Sequence, residues 1–502
     1  MKERLARGAA WLGATRVIVN LIGFVSTIVL SRLLFPADFG LVAIAVAVQA
    51  IVGSVTELST ASALIRHDDP QDAHFDSVFT LNILRAGFIC LLLFGSAHAA
   101  ASLYNDERLV DILYVLGLSA LIGGFFNPKT ALFARELRFA QEFVLAVPQK
   151  LVGLVVALAI ALLYQSYWAL IIGGVAAQFA GLLTSYLLLP YRPRFSLVHG
   201  REFMGFSVWI GLERAVGALN QRAAPLLIGY ALGNAQLGYF AFGDNLAGLP
   251  TREATAPVSG VFLPAFSKVK SDKAVLRDTY QRAQALLCAI ALPVGFGFAA
   301  IAHPLILLAV GDKWLPSVIV VQVLAGVFAI DMLWAGIWPV ALALGETQLL
   351  FRREVINTSI RLPLIIAGLS FGALVGVLVA RTVSSIVIFV LNMVLVRTLL
   401  DLPVRRQLAA NGRTIGATAV MVMGLALLQQ SIDFFRPGAV SIVSLALLTL
   451  VGAVLYGATV LALWIRAGRP AGPEETILSL LNRVLQSQRV TAMSQAVFGS
   501  HR

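Results

Sequence analysis

The sequence predicts an all-α polytopic membrane protein with about 14 transmembrane helices, and three observations carry that expectation. First, 59% of the 502 residues are apolar and only 13% are charged, whereas soluble domains run near 45–50% and about 25%. Mean hydropathy is +0.85. Second, the apolar residues fall in runs of about 20, the length that crosses ~30 Å of hydrocarbon as a helix. An outer-membrane barrel is excluded, because it reads as alternating segments of about ten residues. Third, Lys and Arg alternate sharply in abundance between successive runs.

The runs cover 9–31, 40–64, 78–103, 109–128, 143–164, 167–190, 203–231, 237–264, 278–301, 316–344, 353–371, 374–397, 414–431 and 438–465. The first begins at residue 9, exceeds 20 residues and lacks a small-residue cleavage site, so it reads as an uncleaved helix. Short outside loops such as Tyr164–Ser166 and Gly233–Gln236 leave no extramembrane domain for chemistry. Span 8 is interrupted by Asp244, Asn245, Pro250, Thr251, Arg252, Glu253 and Pro257, the kind of broken span that lines a cavity. Pro148, Pro293, Pro339 and Pro363 each remove a backbone donor within a span, as hinges or as static kinks. In the tail 470–502, Ile477, Leu480, Leu481, Val484 and Leu485 recur at helical spacing behind Pro473. They form a short amphipathic helix, on the membrane surface or against the cytoplasmic face of the bundle.

Of the 38 Lys and Arg residues, 26 fall on the side shared by both termini, counting Arg282, Arg353 and Arg397 at the span edges with the adjoining loops. Only Arg32, Arg108, Lys313 and Arg436 fall on the other, and eight lie within spans. This asymmetry places both termini in the cytoplasm and the chain in the cytoplasmic (inner) membrane. The net charge of +12 therefore reports topology and not nucleic-acid binding. Cys90 and Cys288 lie in apolar runs, and the six histidines are scattered. No metal site, cofactor site or disulfide framework is expected. A P-loop, a Rossmann fingerprint and a G-x-S-x-G elbow are all missing from the sequence, which argues against an ATP-driven motor.

A shift of 198 residues superposes two segments. Trp11-x-Gly13-x-x-Arg16 matches Trp209-x-Gly211-x-x-Arg214, and Leu34, Ala37, Gly40 and Ala43 match Leu232, Ala235, Gly238 and Ala241. Spans 1 and 7 are six helices apart, so the copies run parallel through the membrane. The expected organisation is a six-helix lobe 1–195, a six-helix lobe 203–400 and an added helix pair 414–465. Substrate sites of parallel repeats lie between the halves near the midplane.

An ionisable group at the bilayer centre costs at least ~2.5–3.5 kcal/mol, so each needs a reason. Arg85 and Lys150 lie about two turns from span ends, where pairing or snorkelling suffices. Arg16, Arg214, Arg222, Arg252, Arg361 and Arg381 are the candidates for a cationic central cavity. Arginine in a partly dry site binds phosphate or carboxylate through two parallel bonds, so the expected cargo is anionic. Glu57, Glu213, Asp244, Glu253 and Asp331 are candidates for ion coupling or for salt bridges to those arginines.

Six stretches in order carry a family resemblance: Leu30-Ser-Arg-Leu-Leu-Phe-Pro-Ala-Asp-Phe-Gly40, Arg135-Glu-Leu-Arg-Phe139, Tyr167-Trp-Ala-Leu-Ile-Ile-Gly173, Leu227-Ile-Gly-Tyr-Ala-Leu-Gly-Asn-Ala-Gln-Leu-Gly-Tyr239, Phe262-Leu-Pro-Ala-Phe-Ser267 with Asp272, and Gly311-Asp-Lys-Trp-Leu-Pro316. Over about residues 5–400 the chain resembles the Wzx-type polysaccharide flippases of the multidrug/oligosaccharidyl-lipid/polysaccharide exporter superfamily. The colanic acid exporter-like subgroup is the most similar. Many members have Asp or Asn just before the Leu-Ile-Gly stretch, where this chain has Arg222-Ala-Ala-Pro225. The resemblance implies a transporter, not an enzyme, that moves undecaprenyl-diphosphate-linked oligosaccharide repeat units across the bilayer by alternating access. It also implies a polysaccharide polymerase and a chain-length regulator as candidate partners.

Three other readings compete. A lipid II flippase shares the charge logic and the helix count. A drug exporter of the same superfamily favours an acidic cavity. A membrane-bound polymerase or glycosyltransferase needs sizeable outside loops, and the longest here, 302–315, is mostly apolar.

Overall fold

The computed structural model of the chain describes residues 2–56, 60, 64, 65, 67, 69–136, 138–200, 208–431, 442–470 and 472–475. Among the described residues every regular element is helical. The helices are α1 (Lys2–Leu33), α2 (Pro36–Val55), α3 (Asp72–Tyr104), α4 (Arg108–Gly124), α5 (Ala131–Arg135), α6 (Phe139–Tyr164), α7 (Trp168–Leu188) and α8 (Val208–Ser259). They continue with α9 (Phe262–Val269), α10 (Lys273–Ala300), α11 (Ala302–Ala309), α12 (Val318–Asp331), α13 (Ile337–Leu344), α14 (Thr347–Leu400), α15 (Val404–Ser431) and α16 (Ile442–Arg466). Three short 3-10 turns lie between them.

Each of the fourteen predicted runs is helical over most of its described residues. Among the described residues ten helices are long and apolar enough to cross a membrane. The number is eleven if Arg108–Gly124 and Pro128–Arg135, bent by 65°, form one span. Large outward side chains are apolar along these helices, as at Leu163, Leu187 and Phe371, because acyl chains are the surrounding solvent.

Two long helices contain breaks where spans were separated in the sequence. In α8 the break is Gly233, at φ 80° and ψ 176°, a conformation open to glycine because it lacks Cβ. In α14 it falls at Gly372 and Ala373. The expected interruption of span 8 at 244–257 does not occur, since α8 stays helical through Pro250 and Pro257 to Ser259. A proline removes one donor and bends a helix more readily than it ends one when packing holds both sides.

The chain forms two compact units. The first comprises Met1–Asn245, Ala309–Val320 and Glu346–Ser384. Within it α6 packs against both α1 and α7, and α3 packs against α4. The second comprises Leu246–Leu308, Val321–Gly345 and Ser385–Arg502. Its core gathers Phe266, Leu287, Cys288, Trp334, Ile337 and Leu400, and α15 packs on α10 and α16. Here the chain bends at a short 3-10 turn, Met332–Trp334, between α12 and α13. The buried Gln284 donates to Met332 O and accepts from Gly336 N at 3.1 Å. One amide thus satisfies both a donor and an acceptor released by the bend.

The predicted tail helix falls mainly outside the described residues, as do Ile477, Leu480, Leu481, Val484 and Leu485. Residues 473–475 are helical. Glu474, 7% exposed, accepts from Arg413 Nε at 3.0 Å and from Arg413 Nη2 at 3.1 Å.

Candidate functional site

The repeated Trp-x-Gly-x-x-Arg segments make matching contacts in the first unit. Trp11 of α1 packs edge-on against Phe143 of α6, with ring centroids 5.3 Å apart. Trp209 of α8 packs against Phe351 of α14, also at 5.3 Å. In each copy the first helix thus meets the fifth, beside a carboxylate. Arg16 lies within electrostatic reach of Glu142 on α6, and is itself exposed. Glu213 and Arg214 lie beside Glu354 and Arg353 of α14.

The second copy extends into a polar face. Asn220, 5% exposed, donates its amide to Glu354 Oε1 at 2.8 Å, and Asn357 donates to Glu354 Oε2 at 3.4 Å. Gly217 faces the Glu354 side chain here. Glu354, Asn357 and Arg361 recur at i, i+3 and i+7, on one face of α14. Arg214, Arg222 and Arg361 are half-buried.

Beyond the break, α14 returns with Arg381, which is 8% exposed. The two arms cross tightly, because a Cβ on Gly376 would lie 1.8 Å from Gly368 O. Arg361 and Arg381 stand seven and five residues from these glycines, about 10 and 8 Å along the helix axis. Arg381 Nε is buried with no hydrogen-bond partner, and among the described residues its guanidinium enters no ion pair. Its neighbours Ser384 and Ser385 turn elsewhere: Ser384 Oγ donates to Arg381 O at 3.0 Å, and Ser385 Oγ donates to Asp331.

The remaining candidates are dispersed. Arg252 lies in the second unit, is exposed, and donates from Nε to Gly248 O of its own helix at 3.1 Å. Glu253 beside it is also exposed. Asp331 ends α12 and accepts from Ser385 Oγ at 2.5 Å. Asp244 is half-buried in the first unit, and Glu57 lies outside the described residues. No group of three or more His, Cys, Asp or Glu among the described residues is placed to hold a metal.

Sequence reasoning missed Glu142 and Glu354, which lie at span edges where charge passes for loop. For Glu354 a signal was present, namely its helical spacing with Asn357 and Arg361. The second unit also carries an open apolar cavity of about 410 Å³, lined by Pro250, Pro293, Phe298, Met421, Leu425 and Tyr456 among others.

A polytopic helical bundle with ten or more apolar helices among its described residues has the architecture of a membrane transporter. The structure of lipid II flippase MurJ in an inward closed conformation matches with a TM-score of 0.71 at 14% identity, covering 90% of this chain and all of that one. The particular family follows from the sequence itself: residues 29–319 match the polysaccharide biosynthesis protein family, and the chain belongs to it. The succinoglycan biosynthesis transport protein ExoT of Rhizobium meliloti (strain 1021) is 24% identical over 510 residues, 99% of this chain and 98% of that protein. The lipopolysaccharide biosynthesis protein WzxC of Escherichia coli (strain K12) is 21% identical over 403 residues, 79% of this chain and 80% of that one.

Proposed function

We propose that the chain is a flippase that carries undecaprenyl-diphosphate-linked oligosaccharide repeat units across the cytoplasmic membrane for lipopolysaccharide or exopolysaccharide assembly. Relatives named for lipopolysaccharide biosynthesis and succinoglycan transport support this reading. The observation that carries it is Arg381, a buried guanidinium that meets no counter-charge among the described residues. Such a group is retained at a cost of several kcal/mol only where something anionic arrives to meet it. A diphosphate suits it, because its oxygens accept the parallel N–H bonds of guanidinium.

Arg361 lies at a similar depth, and Arg16, Arg214 and Arg222 line the approach, with Arg252 further along. The oligosaccharide crosses in a hydrated cavity between lobes 1–195 and 203–400. The apolar cavity of the second unit accommodates part of the prenyl tail, which otherwise stays in lipid. Rocking of the lobes exchanges access between states that differ by a few kcal/mol. The termini face the cytoplasm, as the Lys and Arg distribution requires. The protein makes and breaks no bond in its cargo, and hands it to a polymerase working with a chain-length regulator. Glu213, Asp244, Glu253 and Asp331 remain the candidates for ion coupling.

The test is the fate of the lipid-linked repeat unit. Deleting the protein is expected to pile up the complete unit in the inner leaflet, with wild-type protein restoring polymer and Arg381→Ala not restoring it. Single units appearing outside on deletion would instead identify a polymerase and refute the proposal.

A further inference from the structure

We infer that the ends of α1, α2 and α4 and the break in α8, together with residues 309–314, form a clasp that shuts the outer face, and that opening this clasp is the step that releases cargo outward. The inference rests on the transport reading and the orientation proposed above. All of the clasp residues belong to the first unit.

Its first component is reciprocal capping. The last carbonyls of α1 have no partner within the helix. Lys313 Nζ donates to two of the carbonyls at this end, Arg32 O at 2.8 Å and Leu34 O at 2.7 Å. The indole of Trp314, 0% exposed, donates to Ser31 O at 2.8 Å. In return Arg32 Nε donates to Ala309 O, the last residue of α11, at 2.6 Å. Each strand of the clasp therefore places a cation at the negative end of a helix belonging to the other.

The second component is a symmetric glycine crossing. A Cβ on Gly40 would lie 1.8 Å from Asn234 O, and a Cβ on Gly238 would lie 1.8 Å from Pro36 O. Both pairs obey the 198-residue repeat, since residue 36 corresponds to 234 and residue 40 to 238. The starts of α2 and of the second arm of α8 thus touch backbone to backbone, about a local twofold axis. Such a contact has no side chains to disengage, so it can part and re-form without repacking.

The third component ties the α3–α4 turn to the same place. Asp106 accepts from Arg108 Nε and Nη2 at 2.8 and 2.7 Å and from Asn234 Nδ2 at 2.8 Å. Tyr104 Oη donates to Leu226 O at 3.2 Å. Three of the four cations on the sparse side of the charge distribution, Arg32, Arg108 and Lys313, therefore have one purpose. The fourth, Arg436, lies outside the described residues.

Ile44 reports the state of the clasp. It is 0% exposed, one helical turn inward of Gly40, and its Cγ1 would lie 3.1 Å from a Cβ on Gly229. Ile44→Cys is introduced into the full chain in spheroplasts and probed from outside with a membrane-impermeant maleimide; both native cysteines are buried. The thiol is expected to be protected. Labelling should rise at least tenfold when Arg32→Gln and Lys313→Gln are added, or when Gly238→Leu is added instead. Unchanged labelling in both backgrounds, with wild-type abundance and melting, overturns the clasp.

A second arm separates this inference from the transport reading. Asp106→Cys with Asn234→Cys is bridged by a short reducible thiol crosslinker, and polymer export should stop and then resume on reduction. If the crosslinked protein still exports, opening of the clasp is not the release step and the inference falls while the transport reading stands; the transport reading falls instead if deletion of the protein piles up no lipid-linked unit.

Discussion

Arg381→Met tests whether the buried guanidinium serves the fold or the cargo, because the two roles predict opposite signs of stability change. Arg381 is 8% exposed and stands eight residues from the break at Ala373, about 12 Å along the axis. That depth approaches the middle of a ~30 Å hydrocarbon layer, where an arginine costs ~2.5–3.5 kcal/mol on insertion scales. With no ion pair among the described residues to offset this, methionine fills similar volume without the charge. The variant should therefore be more stable by about 1–3 kcal/mol, a discounted figure because snorkelling and local water defects lower the cost of a membrane arginine. Had Arg381 held a buried carboxylate, its loss would destabilise by about 3–5 kcal/mol. Denaturant unfolding of purified protein in micelles reads the sign, and polymer output from a deletion strain reads the function. Raised stability with export reduced at least a hundredfold is expected. Destabilisation of about 3 kcal/mol or more would refute the reasoning, since it would expose a structural counter-charge.

Three further outcomes follow from the geometry. Glu354→Leu should strand the amide of Asn220 and destabilise by about 1–3 kcal/mol, and a double-mutant cycle with Asn220→Ala should show coupling above 0.5 kcal/mol; additive losses would break the assignment. Gln284→Leu should leave Met332 O and Gly336 N without their partner and lower stability by about 2–4 kcal/mol, while a variant that melts with the wild type would show the bend to be held by packing alone. The third concerns pH. Hydrogen bonds from Arg108 hold the Asp106 carboxyl below the usual carboxylate range, against the opposing effect of burial. A lowered native pKa means the contact is fully formed above the ordinary aspartate value near 4 and is lost only as pH falls through the still lower native value. External labelling of Ile44→Cys should therefore be flat from pH 8 to 5, and a rise near pH 6 would contradict it.

Much of this architecture was legible because a bilayer leaves few options. A run of about 20 apolar residues must become helix, since every backbone donor and acceptor has to be satisfied within the segment. The repeat was equally plain: Trp11 and Trp209 proclaim it in sequence, and their contacts with Phe143 and Phe351 repeat it in space. The polar stretch around Arg252 misled, because prolines and charges read as a break where the backbone stays helical through Ser259. Glu142 and Glu354 were passed over because a carboxylate at a span edge looks the same whether it faces water or an arginine on another helix.

By itself, the sequence determined that this chain is a bundle of membrane helices, with a repeated Trp-x-Gly-x-x-Arg segment and arginines within its apolar runs. Those properties are local, set by hydropathy and by residue identity at fixed spacing. Only the tertiary structure decided which charged groups meet, that Arg381 enters no ion pair among the described residues, and which two glycines let backbones touch. Such outcomes depend on distances between residues hundreds of positions apart, and helical periodicity carries no information about them.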